Sequence, residues 1–365
     1  MTDVQRNVQQ VLDRLIASGS ETALQVAVYH RGALVVDAWA AAPGRKIGGS
    51  SLFPIYSTGK GIAATAIHIL VQRGVLSWDD RIARWWPEFA ANGKQDITLR
   101  QALDHTAGMA MLPEHGHMND LADWDGMCRT LAAMPPFPAP GSERHYHAVT
   151  YTWLLGETAR RADGRDFARI IREEIAEPLG LDGLFFGVPD TEMSRVQDAE
   201  KAPAPAPPAP AQPPPATPAR ASIIAARAVP PWICPLEDLM NRADVRRSCV
   251  PASTGIMNAR SIARHYAALV GAGVDGVRLL SDATVDDATR QRLLPGEKRA
   301  SHALGYALSG PDDAPGAVFG HGGYGGSTGW ADRRHALAFG FAKARMGGGS
   351  EEIVAEVRRC LGCSG

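Results

Sequence analysis

Two residues near the start of an apolar segment have the types and the spacing of a nucleophile and its base. Ser57 and Lys60 lie three positions apart in LFPIYSTGKGIAATAIHILVQRG. On a helix, residues at this spacing share a face, with Cβ atoms roughly 5–6 Å apart, so the amine can reach the hydroxyl. Lysine takes a serine proton only when its pKa falls from about 10.4 toward neutrality. The apolar neighbours of Lys60 favour that fall, because burial disfavours the charged amine.

A bare S-x-x-K spacing is more often a surface lysine beside an N-cap serine, so the prediction depends on further groups. Acyl transfer needs a second proton-handling group and donors for the oxyanion that forms when a carbonyl is attacked. The segment PGSERHYHAVTYTWLLGE supplies Tyr146 in a loop just before a helix. The segment FGHGGYGGSTGWAD supplies His321, Gly322 and Gly323 at the edge of a glycine-rich strand, whose backbone can approach a ligand closely.

The same glycine-rich segment contains a rival nucleophile. Ser327 lies at the centre of GGSTG, which matches the G-x-S-x-G turn of α/β-hydrolases. That turn requires a helix after the serine and an acid and a histidine downstream. The following WADRRHALAFGFAKA has the pattern of strands, and His335 is the only later histidine. The match is therefore interpreted as a chance product of a turn.

The elements around these residues predict an α/β fold. Strand patterns occur near both ends of the chain, in LQVAVYH, ALVVDAWA, GAVFGHGG, STGWADRR and HALAFGFAKAR. Helical patterns cover residues 1–19, 59–73, 99–103, 151–161, 167–175, 258–271 and 351–361. We therefore expect an antiparallel sheet built from both termini and flanked by helices, with an inserted, mostly helical lobe that forms a cleft against it. The predicted sheet domain comprises residues 1–60 and 240–365, and the helical lobe residues 61–239.

One segment of the predicted lobe departs from its helical pattern. KAPAPAPPAPAQPPPATPARA, residues 201–221, is rich in proline, which removes backbone donors and fixes φ. A long stretch of this kind inside a compact domain is either a functional lid or a disordered insert. We favour the disordered insert.

Composition excludes several classes of protein. Hydrophobic residues make up 45% of the chain, which is typical of a globular protein, and the formal net charge of −1 argues against a nucleic-acid partner. The N-terminal segment has the pattern of an amphipathic helix and not of a signal peptide, and no apolar run reaches membrane-spanning length. The 5 cysteines, an odd number, favour a reducing, cytoplasmic location.

Metal and redox sites are weakly supported. Cys360 and Cys363 have CxxC spacing, but no second CxxC completes a zinc site. The pairs His115/His117 and His145/His147 lack acidic partners at helical spacing. We predict no metal and no cofactor.

Taken together, three motifs resemble the serine β-lactamase and penicillin-binding-protein superfamily. Ser57-Thr58-Gly59-Lys60 matches its S-x-x-K motif, Tyr146 falls at the tyrosine of Y-x-N, and His321-Gly322-Gly323 falls at K-T-G. LDHTAG, residues 103–108, also follows the family pattern. The resemblance runs from about residue 25 to the last helix, and it is strongest to the class C-like branch that includes the family VIII carboxylesterases and related transacylases.

Two departures from the family motifs bear on activity. Ala148 replaces the asparagine of Y-x-N, and His321 replaces the lysine of K-T-G. In the family those two side chains help to bind the amide and carboxylate of β-lactams and peptides. Alanine offers no side-chain hydrogen bond and histidine is largely neutral at pH 7, so we expect uncharged esters as substrates.

The resemblance implies roles for the predicted site residues. Ser57 is the nucleophile, Lys60 and Tyr146 share the proton handling, and the backbone N–H groups of Ser57 and Tyr324 hold the oxyanion. His321, Gly322, Gly323 and Trp330, on the adjoining strand, are expected to line the substrate site. The predicted function is a serine hydrolase of small-molecule carboxylic esters; an acyltransferase with a small-molecule or natural-product acceptor is the alternative, and a β-lactamase or D,D-peptidase a weaker one. A ligand-binding protein without catalysis is disfavoured by retention of the three catalytic residues, and the sequence does not define an oligomeric state.

Overall fold

The structure, a computed structural model, describes residues 3–202 and 220–363. The expectation of disorder in the tract 201–221 falls mostly on residues 203–219, which lie outside the described residues. No helix within the described ranges is both long and apolar enough to cross a membrane.

Nine strands form two sheets within the described residues. They are β1 (Ala23–His30), β2 (Ala33–Ala41), β3 (Phe53–Pro54), β4 (Leu184–Phe186), β5 (Gly255–Met257), β6 (Ala307–Leu308), β7 (Val318–Gly322), β8 (Thr328–Asp332) and β9 (Leu337–Lys343). The main sheet is antiparallel with the order β2-β1-β9-β8-β7-β6, which confirms the sheet predicted from both ends of the chain. A small sheet, β3-β5-β4, was not predicted, because strands of two or three residues are too short to show an alternating pattern.

Helices fill most of the remaining described chain. They are α1 (Asp3–Ala17), α2 (Gly59–Gln72), α3 (Ile82–Trp85), α4 (Leu99–Leu103), α5 (Trp124–Ala133), α6 (Tyr151–Asp163), α7 (Phe167–Ile171), α8 (Arg220–Ala228), α9 (Leu236–Met240), α10 (Ala243–Arg247), α11 (Ala259–Ala267), α12 (Asp282–Thr289) and α13 (Glu351–Leu361). A π-helical turn, Arg172–Ala176, continues α7. Short 3₁₀ turns, including Tyr56–Thr58 directly before α2, connect several of them.

The main sheet is covered on both faces. Strand β1 is buried on both sides, with Val26 and Val28 packed in the cluster under α1 and α13, and Ala27 and Tyr29 packed in the opposite cluster. This alternation follows from the two-residue period of a strand. Helix α11 lies across the opposite face, against β1, β8 and β9.

Helix α2 is the central element of the opposite cluster. It is buried continuously from Gly59 to Leu70, and it contacts α6, α7 and β7. A helix that is apolar on all sides is typical of a position inside the core. The N-terminus of α2 therefore lies in the interior, where the sheet meets the helical region.

The predicted domain boundaries at residues 60 and 239 fall within α2 and α9, and the division into two domains stays a prediction.

Close contact between α11 and the sheet depends on glycine. A Cβ atom added at Gly340 of β9 would lie 2.3 Å from the Ala259 carbonyl oxygen and 2.7 Å from the Ala263 nitrogen. Both are backbone atoms of α11, which cannot move aside as a side-chain end can. We expect Gly340→Ala to lower the free energy of unfolding by about 1–3 kcal/mol through overpacking. Gly48→Ala, where no atom lies within 4 Å of the added Cβ, is the control; equal denaturant midpoints for the two variants would contradict this packing.

Candidate active site

Ser57 and Lys60 meet at the N-terminus of α2. The 3₁₀ turn Tyr56–Thr58 leads directly into the helix, so Ser57 precedes Lys60 by about one turn. The Lys60 Nζ atom lies 3.0 Å from the Ser57 Oγ atom. Ser57 is half-buried at the surface of a cleft, whereas Lys60 is fully buried beneath it.

The hydrogen bonds of Lys60 suit a base beside Ser57. Its Nζ donates to the Ala148 carbonyl oxygen at 2.6 Å and to the Ala252 carbonyl oxygen at 3.1 Å. Carbonyl oxygens can only accept, whereas the Ser57 hydroxyl can accept from an ammonium group or donate to a neutral amine. In the neutral form of Lys60, the two carbonyls use both hydrogens and the lone pair is left for the Ser57 hydroxyl.

A second buried lysine makes the contrast clear. The Lys94 Nζ atom donates to three carbonyl oxygens, those of Ala91 at 2.7 Å, Ala132 at 2.9 Å and Met134. Three carbonyl acceptors match the three hydrogens of an ammonium group and leave no lone pair. Lys94 therefore ties the chain together, whereas Lys60 faces a hydroxyl that can give up a proton.

Burial acts on Lys60 in the same direction. Full desolvation holds the pKa of the Lys60 amine well below its usual value. No aspartate or glutamate among the described residues forms an ion pair with it. The burial of Lys60 therefore favours its neutral form.

Tyr146 lines the same cleft as Ser57. Lys60 Nζ lies 4.9 Å from the centre of the Tyr146 ring. Desolvation raises the pKa of the Tyr146 hydroxyl, and the nearby Ser57 side chain opposes this rise. The phenol is therefore protonated at pH 7 and can act as an acid.

His105 fixes the loop on both sides of Tyr146. The His145 N–H donates to the His105 carbonyl at 3.0 Å, and the His147 N–H donates to the His105 Nδ1 atom at 3.3 Å. The His105 ring also packs edge-on against the Tyr146 ring, with centroids 4.9 Å apart. His147 in turn donates from Nδ1 to the His145 carbonyl and accepts from the Met109 N–H at Nε2. These histidines position the phenol.

Arg144 ties the same loop to the segment before β6. Its guanidinium pairs with Glu297 at 3.1 Å and donates to the Arg292 carbonyl at 2.7 Å and to the Asp104 carbonyl. The Arg144 side chain is only 9% exposed. Tyr146 is thus held by contacts with two separate parts of the chain.

Within residues 3–202 and 220–363, no cluster of His, Cys, Asp or Glu is arranged to hold a metal ion.

Strand β7 brings His321 to the phenol. The His321 Nε2 atom lies 3.5 Å from the Tyr146 hydroxyl, and its Nδ1 atom donates to the Gly322 carbonyl at 2.7 Å. This bond to a carbonyl places the ring proton on Nδ1 and leaves Nε2 as an acceptor. Burial, with Lys60 nearby, holds the pKa of His321 well below its usual value, so the ring is neutral.

The turn after β7 has the features of an oxyanion site. A Cβ atom at Gly323 would lie 2.2 Å from the Ile55 carbonyl oxygen, so only glycine allows the turn to approach the segment before Ser57. Neither the Ser57 nor the Tyr324 backbone N–H donates to another described residue. The Tyr324 side chain is 58% exposed and packs edge-on against Tyr56 at the mouth of the cleft.

Two residues of the glycine-rich segment lie away from the chemistry. Trp330 was expected to line the substrate site, but it stacks on Phe339 under Arg358, on the sheet face covered by α1 and α13. Side chains alternate along β8, so Trp330 points opposite to the cleft; that expectation is corrected. The Ser327 hydroxyl donates to the Ile55 carbonyl at 2.8 Å and has no imidazole or amine partner among the described residues, so it supports the turn.

Five of the predicted residues border a cleft of about 500 Å³: Ser57, Tyr146, His321, Gly322 and Tyr324. Lys60 and Gly323 lie behind its lining. Sequence reasoning missed its apolar wall, because these side chains have the ordinary pattern of helix and loop core: Val149, Val229, Leu236, Leu239 and Met240. It also missed His302, which lines the cleft beside Tyr146 and His321. A larger open groove, about 790 Å³, contains none of the predicted residues and is lined by ion pairs such as Arg278–Asp282.

This fold and site define an enzyme of the active-serine class, in which an acyl group passes through a serine ester. The chain belongs to the Beta-lactamase family, whose sequence model matches residues 8–361.

Individual relatives within this family are similar over most of the chain. The chain is 33% identical over 352 residues to "Esterase/beta-lactamase LipL" of Mycobacterium tuberculosis, covering 88% of this chain and 76% of that one. It superposes on a family VIII carboxylesterase with a TM-score of 0.86 and 30% identity, covering 98% of both chains. A penicillin-binding protein homolog from Caulobacter crescentus gives a TM-score of 0.82 and 31% identity, covering 98% of this chain and 96% of that one. The chain is thus similar to esterases and to penicillin-binding proteins alike.

The lowered pKa of Lys60 predicts the pH dependence of the reaction. An ammonium group has no lone pair, so kcat/KM falls only as pH drops through the lowered pKa of Lys60, by about tenfold per pH unit below it. For an uncharged p-nitrophenyl ester we expect kcat/KM to reach its plateau well below pH 10.5, the ordinary value for lysine. Lys60→Arg, which stays charged, should lose at least about a thousandfold in kcat/KM.

Lys94→Arg is the matched control, because it changes the other buried lysine in the same way. It is expected to keep the pH profile of kcat/KM. A wild-type profile that rises steadily up to pH 10 would place the pKa of Lys60 at its ordinary value, contrary to its burial.

Proposed function

We propose that this protein is a serine carboxylesterase that cleaves small, uncharged esters through an acyl-enzyme on Ser57. The observation that carries the proposal is a fully buried lysine amine, Lys60, whose Nζ atom lies 3.0 Å from the Ser57 Oγ atom. Two carbonyls accept from Lys60, and in its neutral form the amine has a lone pair left for the Ser57 hydroxyl. Names among the relatives, including an esterase/β-lactamase and a family VIII carboxylesterase, support the same activity.

In acylation, the Ser57 Oγ atom attacks the ester carbonyl while Lys60 takes its proton. The negative charge moves to the carbonyl oxygen, where the N–H groups of Ser57 and Tyr324 donate to it. When the carbon–alkoxide bond breaks, the Tyr146 hydroxyl protonates the departing alkoxide. The acyl-enzyme is left with Lys60 as an ammonium group and Tyr146 as a phenolate.

In deacylation the same two groups act in reverse. The phenolate of Tyr146 takes a proton from water as the water oxygen bonds to the acyl carbon. When the bond to Ser57 breaks, Lys60 returns its proton to the serine oxygen. Each cycle therefore restores both groups, and their titrations are coupled because each proton transfer changes the charge beside the other.

The cleft favours esters over β-lactams and peptides. None of the described residues that line it is Asp, Glu, Lys or Arg, so a substrate carboxylate would have no charged partner. His321 is neutral, and the Ala148 side chain supplies no hydrogen bond. β-Lactamase or D,D-peptidase activity remains the weaker alternative, supported by the relatives of those classes and not by the lining of this cleft.

Acyl transfer is the second use of the same intermediate. Water and an alcohol compete for one acyl-enzyme, and the cleft is open to both. A small-molecule acceptor therefore belongs to the proposal as an alternative to water.

The proposed location is the cytoplasm, in keeping with five cysteines that are all unpaired.

Intact-mass analysis tests the assignment of Ser57 and Lys60. After incubation with p-nitrophenyl esters, we expect an acyl adduct on the wild-type chain and none on Ser57→Ala. Turnover should fall by roughly 10⁴-fold or more in Ser57→Ala and Lys60→Ala, because the nucleophile or its base is lost. Ser327→Ala is the matched serine control and should still form the adduct. Retained turnover in Ser57→Ala would sink the proposal.

Substrate charge gives a second test. A p-nitrophenyl butyrate and the p-nitrophenyl monoester of succinic acid have similar size, but only the second carries a carboxylate. An unpaired carboxylate against the apolar wall costs at least about 3 kcal/mol, so we expect kcat/KM to favour the butyrate by about a hundredfold or more. Comparable values for the two esters, measured at several ionic strengths, would mean that a cation outside the lining residues pairs with the carboxylate.

A further inference from the structure

His302 is part of the site but has no place in the mechanism described so far. It lies in the segment before β6 and lines the cleft together with Ser57 and Tyr146. The centre of its ring is 5.6 Å from the Tyr146 ring and 5.6 Å from the His321 ring. It therefore borders the side of the cleft where an alkoxide leaves and the next nucleophile arrives.

One ring nitrogen of His302 is held and the other is available. The Nδ1 atom lies 2.9 Å from the Ser301 hydroxyl oxygen, a contact in which the ring N–H can donate. The Nε2 atom forms no hydrogen bond with a described residue, and it is not fully buried. It is therefore accessible to solvent. With the ring proton on Nδ1, Nε2 is an acceptor that faces no protein donor.

The ring is neutral under ordinary conditions. Burial, with Arg144 and Lys60 nearby, lowers the pKa of His302 to about 4. The neighbouring rings of His105 and His321 are neutral for the same reason. A neutral imidazole offers a lone pair to an O–H group and does not attract an anion.

We propose that His302 binds the water that hydrolyses the acyl-enzyme, through a hydrogen bond from that water to Nε2. The proposal rests on the proposed function, because it requires the Ser57 acyl-enzyme. One O–H of the water gives its proton to the Tyr146 phenolate as the oxygen bonds to the acyl carbon. The second O–H donates to His302 Nε2 and is not transferred; it stays in the carboxylic acid product. Ser57 leaves with the proton from Lys60.

The number of hydroxyl hydrogens makes this contact selective. The alkoxy oxygen of an ester has no hydrogen, so His302 adds nothing to acylation. Water has two hydroxyl hydrogens: one is transferred to Tyr146 and the other donates to His302. An alcohol acceptor has one hydroxyl hydrogen, which is transferred to Tyr146, so none is left to donate to His302. His302 thus favours hydrolysis over transfer to alcohols.

The experiment measures two quantities that report separate steps. With p-nitrophenyl butyrate as acyl donor, kcat/KM reports acylation, and the ratio of methyl butyrate to butyrate formed in the presence of methanol reports the fate of the acyl-enzyme. In His302→Phe we expect a product ratio raised about tenfold, a larger change than any in kcat/KM. His302→Gln, whose carbonyl oxygen can accept from the water, should bring the ratio back toward the wild-type value.

His115→Phe is the matched control, because His115 is exposed and outside the cleft. An unchanged product ratio in His302→Phe overturns the proposal whatever happens to kcat/KM. A ratio raised equally in His302→Gln also overturns it, since ring size and not the acceptor would then be responsible. The absence of any butyryl adduct on wild-type Ser57 would instead refute the proposed function.

Discussion

The active site depends on an uncharged lysine in the interior of the protein. Two carbonyls hold the Lys60 amine, and they belong to distant parts of the chain, Ala148 before α6 and Ala252 before β5. The base therefore has its reactive form only when the helical region and the sheet region are assembled together. Burial without these acceptors would leave two polar hydrogens unsatisfied.

Local patterns made part of this site readable in the sequence. Ser57 and Lys60 were found because helical spacing alone brings them together, and the predicted strands and terminal helix follow strong periodic patterns. Tyr146 and His321 were found through their resemblance to family motifs. The close contact at Gly340, the position of His302 and the apolar wall all depend on contacts between segments that are distant in sequence. No local sequence pattern indicates such contacts. Trp330 was misplaced because a five-residue strand beside glycines does not reveal which face is buried.

Three neutral imidazoles surround the catalytic phenol. His105, His302 and His321 come from different segments, and burial keeps each of them uncharged. In the family motif a lysine stands at the position of His321, so a fixed positive charge is replaced by hydrogen-bond acceptors. The phenol is then oriented by packing and hydrogen bonds more than by a nearby charge. This arrangement suits an uncharged substrate.

The apolar wall has a different origin from the catalytic machinery. Four of its five side chains lie within residues 229–240, away from every hydrogen-bond partner of Lys60; the fifth, Val149, directly follows Ala148, whose carbonyl accepts from Lys60. Mutations that reshape the wall can therefore accumulate without disturbing the proton chemistry. Ester selectivity and catalytic reactivity therefore depend on largely separate residues. The range of accepted esters can change during evolution while the catalytic residues stay the same.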